Sequence, residues 1–253
     1  MDYARVEARI HDFLRDRLDA AGADGYVLGV SGGLDSALGA RVAADAVGPE
    51  NALGLILPGA PSSTANMRDA RDLCDFLGIP YEEDDIRPAV ASIRDGLSGD
   101  FDETTVGNVR ARVRMTYCYE AANARNYLVL GADNKSEYEL GYFTKYGDGA
   151  VDLAPFGDLY KTDLYEFAEY LGLPETFIEK QPTAELWEGQ TDEDELGASY
   201  EVIDAVLRRY LDRDLTVAEI VADTGIDRDL VERFVSRHES TEHKRRRPPT
   251  PGL

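Results

Sequence analysis

The 253-residue chain carries 49 Asp and Glu against 27 Lys and Arg, a formal charge of −22 at pH 7. Its 43% hydrophobic content is enough to build a core and excludes charge-driven disorder. A polyanion of this kind repels nucleic acid and anionic membrane except where its few cations cluster, so neither is expected as a partner.

In chain order, Val6, Ile10, Phe13, Leu14 and Leu18 recur at helical spacing, which predicts an N-terminal helix over about 3–20. YVLGV (26–30) reads as a buried strand, followed by SGGLDS and a helix to about Val47. ALGLIL (52–57) is a second strand, stopped by Pro58 and Gly59. A helix over about Thr64–Leu77 leads to a short strand near Ile79–Glu82, a helix over about Ile86–Ile93 and a loop from about Gly99 to Thr105. A long helix, Asn108–Asn126, precedes the fourth strand, YLVLG (127–131). The next thirty or so residues, from Asn134, are rich in Gly, Tyr and charge with little periodicity, the pattern of a functional loop. Helices resume at about Asp163–Leu171, and Thr191-x-x-Asp194 and Thr216-x-x-Glu219 are capping-box patterns. A last helix, about Asp229–Arg237, leads to a basic, proline-rich segment over about 237–253. Strand–helix alternation with continuously apolar strands predicts an α/β fold, a parallel sheet sandwiched between helices in three layers with a helical C-terminal portion, organised as a single domain over 1–253.

The remaining composition speaks to compartment. Only five basic residues are lysine and none precedes Lys135. An acid-rich, Lys-poor chain fits a halophilic protein, whose self-repulsion is screened by concentrated salt; an ordinary acidic cytosolic protein is the alternative. There is neither a run of about 18 apolar residues nor an apolar signal core at the start, which gives a cytoplasmic expectation. Cys74 and Cys118 stand apart within helical segments and read as buried small hydrophobes, not as a disulfide or zinc site.

The strongest motif is Gly29-Val30-Ser31-Gly32-Gly33-Leu34-Asp35-Ser36, between a strand and a helix. Adjacent glycines let the backbone turn tightly and approach a ligand. Successive N–H groups, Ser hydroxyls and the helix N-terminus then form a cradle for phosphate. An Asp there would repel phosphate unless a cation such as Mg²⁺ lay between them. The motif is neither GxxxxGK[ST] nor GxGxxG. The plainer alternative is a strand-to-helix turn capped by Asp35 or Ser36.

SGGLDS resembles the pyrophosphate loop of the adenine-nucleotide α-hydrolases, which split ATP into AMP and pyrophosphate. Three further segments are similar to the ammonia-dependent NAD synthetases within that superfamily. The first is Gly107–Met115, where helical geometry puts Arg110 and Arg114 on one face and Arg112 nearly opposite. The Arg110–Arg114 row suits surface ion pairs, and Arg112 is implied as a deamido-NAD contact. The second runs from Asn134 to Asp152 and implies Glu137 as a magnesium ligand with Asp35, and Lys145 and Asp152 as deamido-NAD contacts. Taken alone, Glu137 is one of many surface acids. The third comprises Asp158–Lys161 and Gln181-Pro182-Thr183, which imply ATP contacts at Lys161 and Thr183. Near the end, Glu242–Arg245 resembles the family's closing His-Lys pair, implying His243 and Lys244 at deamido-NAD; in isolation this stretch reads as a basic tail or a localisation signal. Ala132 stands where many members have an ATP-contacting Thr, and Ile56 where bacterial relatives have Arg.

The resemblance implies a ligase forming a C–N bond. The nicotinate carboxylate of deamido-NAD attacks the α-phosphorus of ATP, pyrophosphate leaves, and ammonia then displaces AMP to give NAD. In that reading Ser31, Asp35 and Lys161 carry the catalysis, the 29–36 loop and Ala132 hold ATP, no covalent protein nucleophile is needed, and Mg²⁺ is the cofactor. A homodimer is implied. The length leaves no room for the amidase domain of glutamine-dependent relatives, which makes free ammonia the expected donor. Alternatives sharing the loop are a GMP synthetase subunit, a tRNA-modifying ligase, which this charge disfavours, and a non-catalytic nucleotide-binding module.

Overall fold

The computed structural model describes residues 1–60, 62–99, 101–183, 189 and 191–252. Asp100 of the predicted loop and Leu253 of the predicted C-terminal segment therefore lie outside the described residues.

Helix α1 (Tyr3–Ala21) starts on Asp2, whose side chain accepts from the Arg5 amide, and ends at Gly22. Strand β1 (Gly25–Gly29) leads into α2 (Leu34–Val47), β2 (Ala52–Ile56), α3 (Thr64–Leu77), β3 (Tyr81–Glu83), α4 (Arg87–Gly96), α5 (Glu103–Arg125) and β4 (Tyr127–Val129). The four strands form one parallel sheet in the order β3-β2-β1-β4. Side chains alternate across it, as the pleat requires. Tyr26, Leu28 and Val30 pack with α1, α2 and α3 on one face, while Val27, Leu53 and Leu55 pack with α4 and α5 on the other. The three predicted layers are present.

Beyond the sheet lie α6 (Lys135–Glu139), α7 (Lys161–Tyr170), α8 (Glu175–Ile178), α9 (Asp192–Leu196), α10 (Tyr200–Asp212), α11 (Val217–Thr224), α12 (Arg228–Ser240) and α13 (Glu242–Arg245). Helices α9–α12 bury a separate cluster including Ile203, Val206, Leu207, Ile220, Val231 and Phe234 around Leu140 and Tyr160. Asp204 of α10 fastens this cluster to the sheet layers. It accepts from Ser136 Oγ at 2.5 Å and from the Thr162 amide at 2.9 Å.

Helix α5 begins at Glu103, five residues before its predicted start, because Asp102 caps it by accepting from the Thr105 amide at 2.7 Å. The segment expected to be irregular contains α6, opened by a capping box in which Asn134 and Glu137 satisfy each other's amides. Helix α10, which the sequence reading passed over, has no side-chain hydrogen bond at its Ser199 cap. Thr191 and Thr216 open α9 and α11 as their spacing predicted. No described helix is long and apolar enough to cross a membrane.

Cys74 and Cys118 are both buried and unpaired. Burial pushes the Cys74 thiol up to about 12 and the Cys118 thiol up to about 11, so at pH 8 well under one part in a hundred of either is thiolate. Thiol titration of the native protein at pH 8 is expected to show no fast-reacting group, and two after denaturation. A fast-reacting thiol in the native protein would contradict this burial.

Candidate active site

The order β3-β2-β1-β4 reverses between β1 and β4, and at such a switch point the carboxyl ends of parallel strands open a crevice. A cleft of about 530 Å³ lies there. Gly29, Val30, Ser31, Gly33, Leu34, Asp35 and Ser36 line one side; Leu130–Asp133, Glu137 and Lys161 line another. Leu55, Leu57, Met67, Met115 and Cys118 give it an apolar wall. Leu57 faces the cleft, whereas Ile56 belongs to the buried core.

The loop after β1 is knitted by its own hydroxyls. Ser31 Oγ and Ser36 Oγ are 3.1 Å apart, Ser36 Oγ donates to the Gly33 carbonyl at 3.0 Å, and Ser31 Oγ accepts from the Gly33 amide at 3.3 Å. Gly33 is the cap residue of α2 and no side chain caps that helix, so the capping alternative for Asp35 and Ser36 is not realised. The amides at this helix end remain an anion site.

Asp35 leaves the first turn of α2 towards Lys161, the first residue of α7. Lys161 Nζ contacts Asp35 Oδ2 closely and lies 3.4 Å from Glu137 Oε1. Asn134, wholly buried, ties the group together: its amide nitrogen donates to Asp35 Oδ1 at 3.0 Å and its side-chain oxygen accepts from the Glu137 amide at 3.1 Å. The Lys161 amide donates to Ser136 Oγ at 2.9 Å, which fixes the start of α7. Burial opposes the Lys161 charge, but Asp35 and Glu137 outweigh it and hold the ammonium above the usual lysine range. Burial, opposed by Lys161 and reinforced by Asp35 and Asp192, pushes Glu137 up to about 7. Asp133 is driven well up by burial and by Asp148, Glu137 and Asp35. The Tyr200 hydroxyl lies 2.9 Å from Asp192 Oδ2 and 3.3 Å from Glu137 Oε1. The site thus crowds acids around a single buried ammonium, an arrangement that a divalent cation would relieve.

The predicted residues fall into two groups. Ala132, Glu137, Lys161, Thr183 and Lys244 line the cleft with the 29–36 loop, though Gly32 itself turns away from it. Lys244 Nζ donates to the Gly141 and Phe143 carbonyls, each at 2.7 Å. Arg112, Lys145, Asp152 and His243 do not line the cleft. Arg112 lines a shallow groove on the far side of α5 with Tyr119 and Tyr146, and its guanidinium donates to the Lys145 carbonyl at 3.1 Å. Lys145 Nζ donates to the His243 carbonyl at 2.6 Å, and Asp152 accepts from the Val129 amide at 2.8 Å and from the Tyr119 hydroxyl at 3.3 Å. The helical wheel thus separates Arg112 from Arg114 as predicted. Arg114 lines the cleft and donates from Nε to the Leu57 carbonyl at 3.1 Å.

Sequence reasoning assigned no role to Asn134, Asp133, Asp148 or Lys180, all at the site. Lysine scarcity was the available signal for Lys180, one of five in the chain and one of three in the cleft, with Lys161 and Lys244.

Residues 6–248 match the family model described as NAD synthase. The chain is 46% identical to the NH(3)-dependent NAD(+) synthetase of Thermococcus kodakarensis, over 99% of this chain and 98% of that one. Its fold is similar to that of an NMN synthetase from Francisella tularensis, with a TM-score of 0.89, 34% identity and full coverage of both chains. It is also similar to an NH3-dependent NAD synthetase from Campylobacter jejuni, with a TM-score of 0.84, 32% identity and 99% coverage of both.

Proposed function

The chain belongs to the NAD synthase family, and on that premise we propose that it converts deamido-NAD to NAD with ATP and free ammonia, releasing AMP and pyrophosphate. The observation that carries the reading is the buried Lys161 between Asp35 and Glu137, set beside an uncapped helix N-terminus in the cleft. A carboxylate is a poor electrophile, so its oxygen first bonds to the α-phosphorus of ATP while the bond to the pyrophosphate oxygen breaks. The amides of the 31–36 loop and Lys161 would bind the triphosphate and stabilise charge on the departing pyrophosphate. Ammonia then bonds to the activated carbonyl carbon, AMP leaves with the electron pair, and the nitrogen loses a proton.

Asp35 and Glu137 fit Mg²⁺, being two hard-oxygen donors that already converge on one cation in a phosphate-binding cleft. Held by Asp35 and Glu137, the metal would offset their charge beside the triphosphate and supply Lewis-acid stabilisation of the departing pyrophosphate. Ala132 and Thr183 are assigned to ATP from their place in the cleft, while Arg112, Lys145, Asp152, His243 and Lys244 are assigned to deamido-NAD. Arg112 lines the groove beyond α5, where Tyr146 is 59% exposed, Asp152 accepts from its lining residue Tyr119, and Lys145 accepts from Arg112 through its carbonyl. A homodimer is proposed, which molar mass in solution tests.

The deciding assay incubates the protein with deamido-NAD, ATP, Mg²⁺ and ammonia and measures AMP, pyrophosphate and NAD in equal amounts. Accumulation of ADP, or turnover without deamido-NAD, would sink the reading. Because the Francisella relative is named for NMN, nicotinate mononucleotide serves as the competing substrate; preference for it would shift the assignment to the mononucleotide.

A halophilic enzyme is proposed from the charge. The Debye length contracts from about 10 Å at 0.1 M salt to about 3 Å at 1 M. Relief of even a few kcal/mol of self-repulsion raises Tm by about 10 °C for a chain of this size. Thermal melts from 0.1 to 2 M KCl are expected to rise by that order, with activity following. A flat or falling Tm would contradict halophily and leave the catalytic assignment intact.

A further inference from the structure

Lys180 follows α8 and precedes Gln181-Pro182-Thr183 at the rim of the cleft. Its Nζ donates to the Gly32 carbonyl at 2.7 Å and to Asp69 Oδ2 of α3 at 2.8 Å. Gly32 has φ +81°, and a Cβ there would stand 2.5 Å from the Asn66 carbonyl of α3. The turn of the phosphate loop is therefore clasped between the α3 backbone on one side and the Lys180 ammonium on another. In a planar trans peptide the Gly32 carbonyl and the Gly33 N–H point in opposite directions. A cation fixing that carbonyl fixes the Gly33 amide opposite it, where it donates to Ser31 Oγ at 3.3 Å, and both Gly33 and Ser31 line the cleft. Asp69, a largely buried acid, holds the ammonium in place from behind.

We propose that Lys180 is a positioning residue: it fixes the Gly32–Gly33 peptide so that the loop is preorganised for the triphosphate of ATP. A compact ammonium on a long stem suits this place, where a carbonyl and a carboxylate are approached from different directions. Preorganisation lowers the cost of binding, so its loss falls on nucleotide affinity before anything else. This inference rests on the reading of the 29–36 loop as an ATP site.

The test uses the full chain and measures Mg²⁺–ATP binding by calorimetry alongside steady-state kinetics. In Lys180→Met, the Kd for ATP and its KM are expected to rise about tenfold together, with the KM for deamido-NAD within twofold of wild type. Lys180→Arg is expected to recover part of that loss. Adding Asp69→Asn to Lys180→Met should change Kd by less than twofold, because Asp69 acts through the lysine. A merely structural ion pair would lower Tm without this nucleotide-specific split. A folded Lys180→Met protein whose ATP affinity is within twofold of wild type overturns the proposal. Should that variant not fold, Lys180→Gln is read in the same way, and unchanged affinity there overturns it equally. Wild type that binds ATP but makes no NAD sinks the functional reading and leaves Lys180 to be judged on affinity. Wild type that binds no ATP overturns both.

Discussion

Replacing Lys161 by Met is expected to lower kcat/KM by about 10³-fold, equivalent to about 4 kcal/mol of transition-state stabilisation. Three features concentrate the effect on this residue. Its side chain is 3% exposed, so water cannot substitute for the lost charge. Its ammonium reaches both Asp35 and Glu137, the two acids proposed to face the metal. Its backbone amide is pinned through Ser136 to Asp204, so the charge is held in place by elements outside the cleft. Charge that is fixed before the reaction begins is what stabilises a leaving pyrophosphate without reorganisation. The loss should fall mainly on kcat, because the loop amides still bind ground-state ATP. Lys161→Arg is expected to restore little of it, since a planar guanidinium does not reproduce a compact ammonium held between Asp35 and Glu137. A Lys161→Met protein of native fold that retains more than a tenth of wild-type kcat would remove Lys161 from the mechanism.

The layered sheet was legible because β1 and β2 are buried nearly throughout and therefore read as continuous apolar runs, with Gly or Pro at their ends, whereas β3 is a largely exposed Tyr-Glu-Glu edge. Helix α3 was located to the residue, since Ser63 and Gly78 cap it. The misses follow from what local patterns leave out. Helix α6 is little more than one turn long, too short for a period to show, and its capping acid Glu137 doubles as the proposed metal ligand. Helix α10 carries a clear apolar period at Tyr200, Ile203, Val206 and Leu207 but lacks a side-chain cap at Ser199. At the site, the loop and the acids Asp35 and Glu137 were legible from their residue types. The Asn134 bridge to Asp35 was not, for it spans 99 residues, and neither was the clasp of Lys180 on Gly32 across 148. Contacts of that separation are set by strand order and helix packing, which a one-dimensional pattern does not encode. The division of the predicted ligands between the cleft and the groove beyond α5 has the same origin: neighbouring arginines on one helix face opposite layers.

Replacing Asp35 by Asn should produce a reversal of sign that separates a metal-bridging acid from one that only orients Lys161. With Mg²⁺ present, turnover is expected to fall by about 10²–10³-fold and half-saturation to require more metal, because one of two hard-oxygen ligands is gone. Without Mg²⁺ the same substitution removes a negative charge from the phosphate cradle. At separations of about 5 Å and an effective dielectric near 20, that repulsion is worth up to about 3 kcal/mol, and partial exposure of Asp35 reduces it. The variant should therefore bind metal-free ATP or pyrophosphate about tenfold more tightly than wild type, and the Mg²⁺ complex more weakly. The hydrogen bond from Asn134 survives through the carbonyl oxygen of the substituted amide, so the loop keeps its shape. Lys161 loses its nearest anion and is freed towards phosphate, which adds to the gain. Calorimetry with and without chelator reads both arms on one protein. Weaker binding in both conditions would mean that Asp35 serves the fold of the loop alone, whereas intact turnover with Mg²⁺ would remove Asp35 from catalysis.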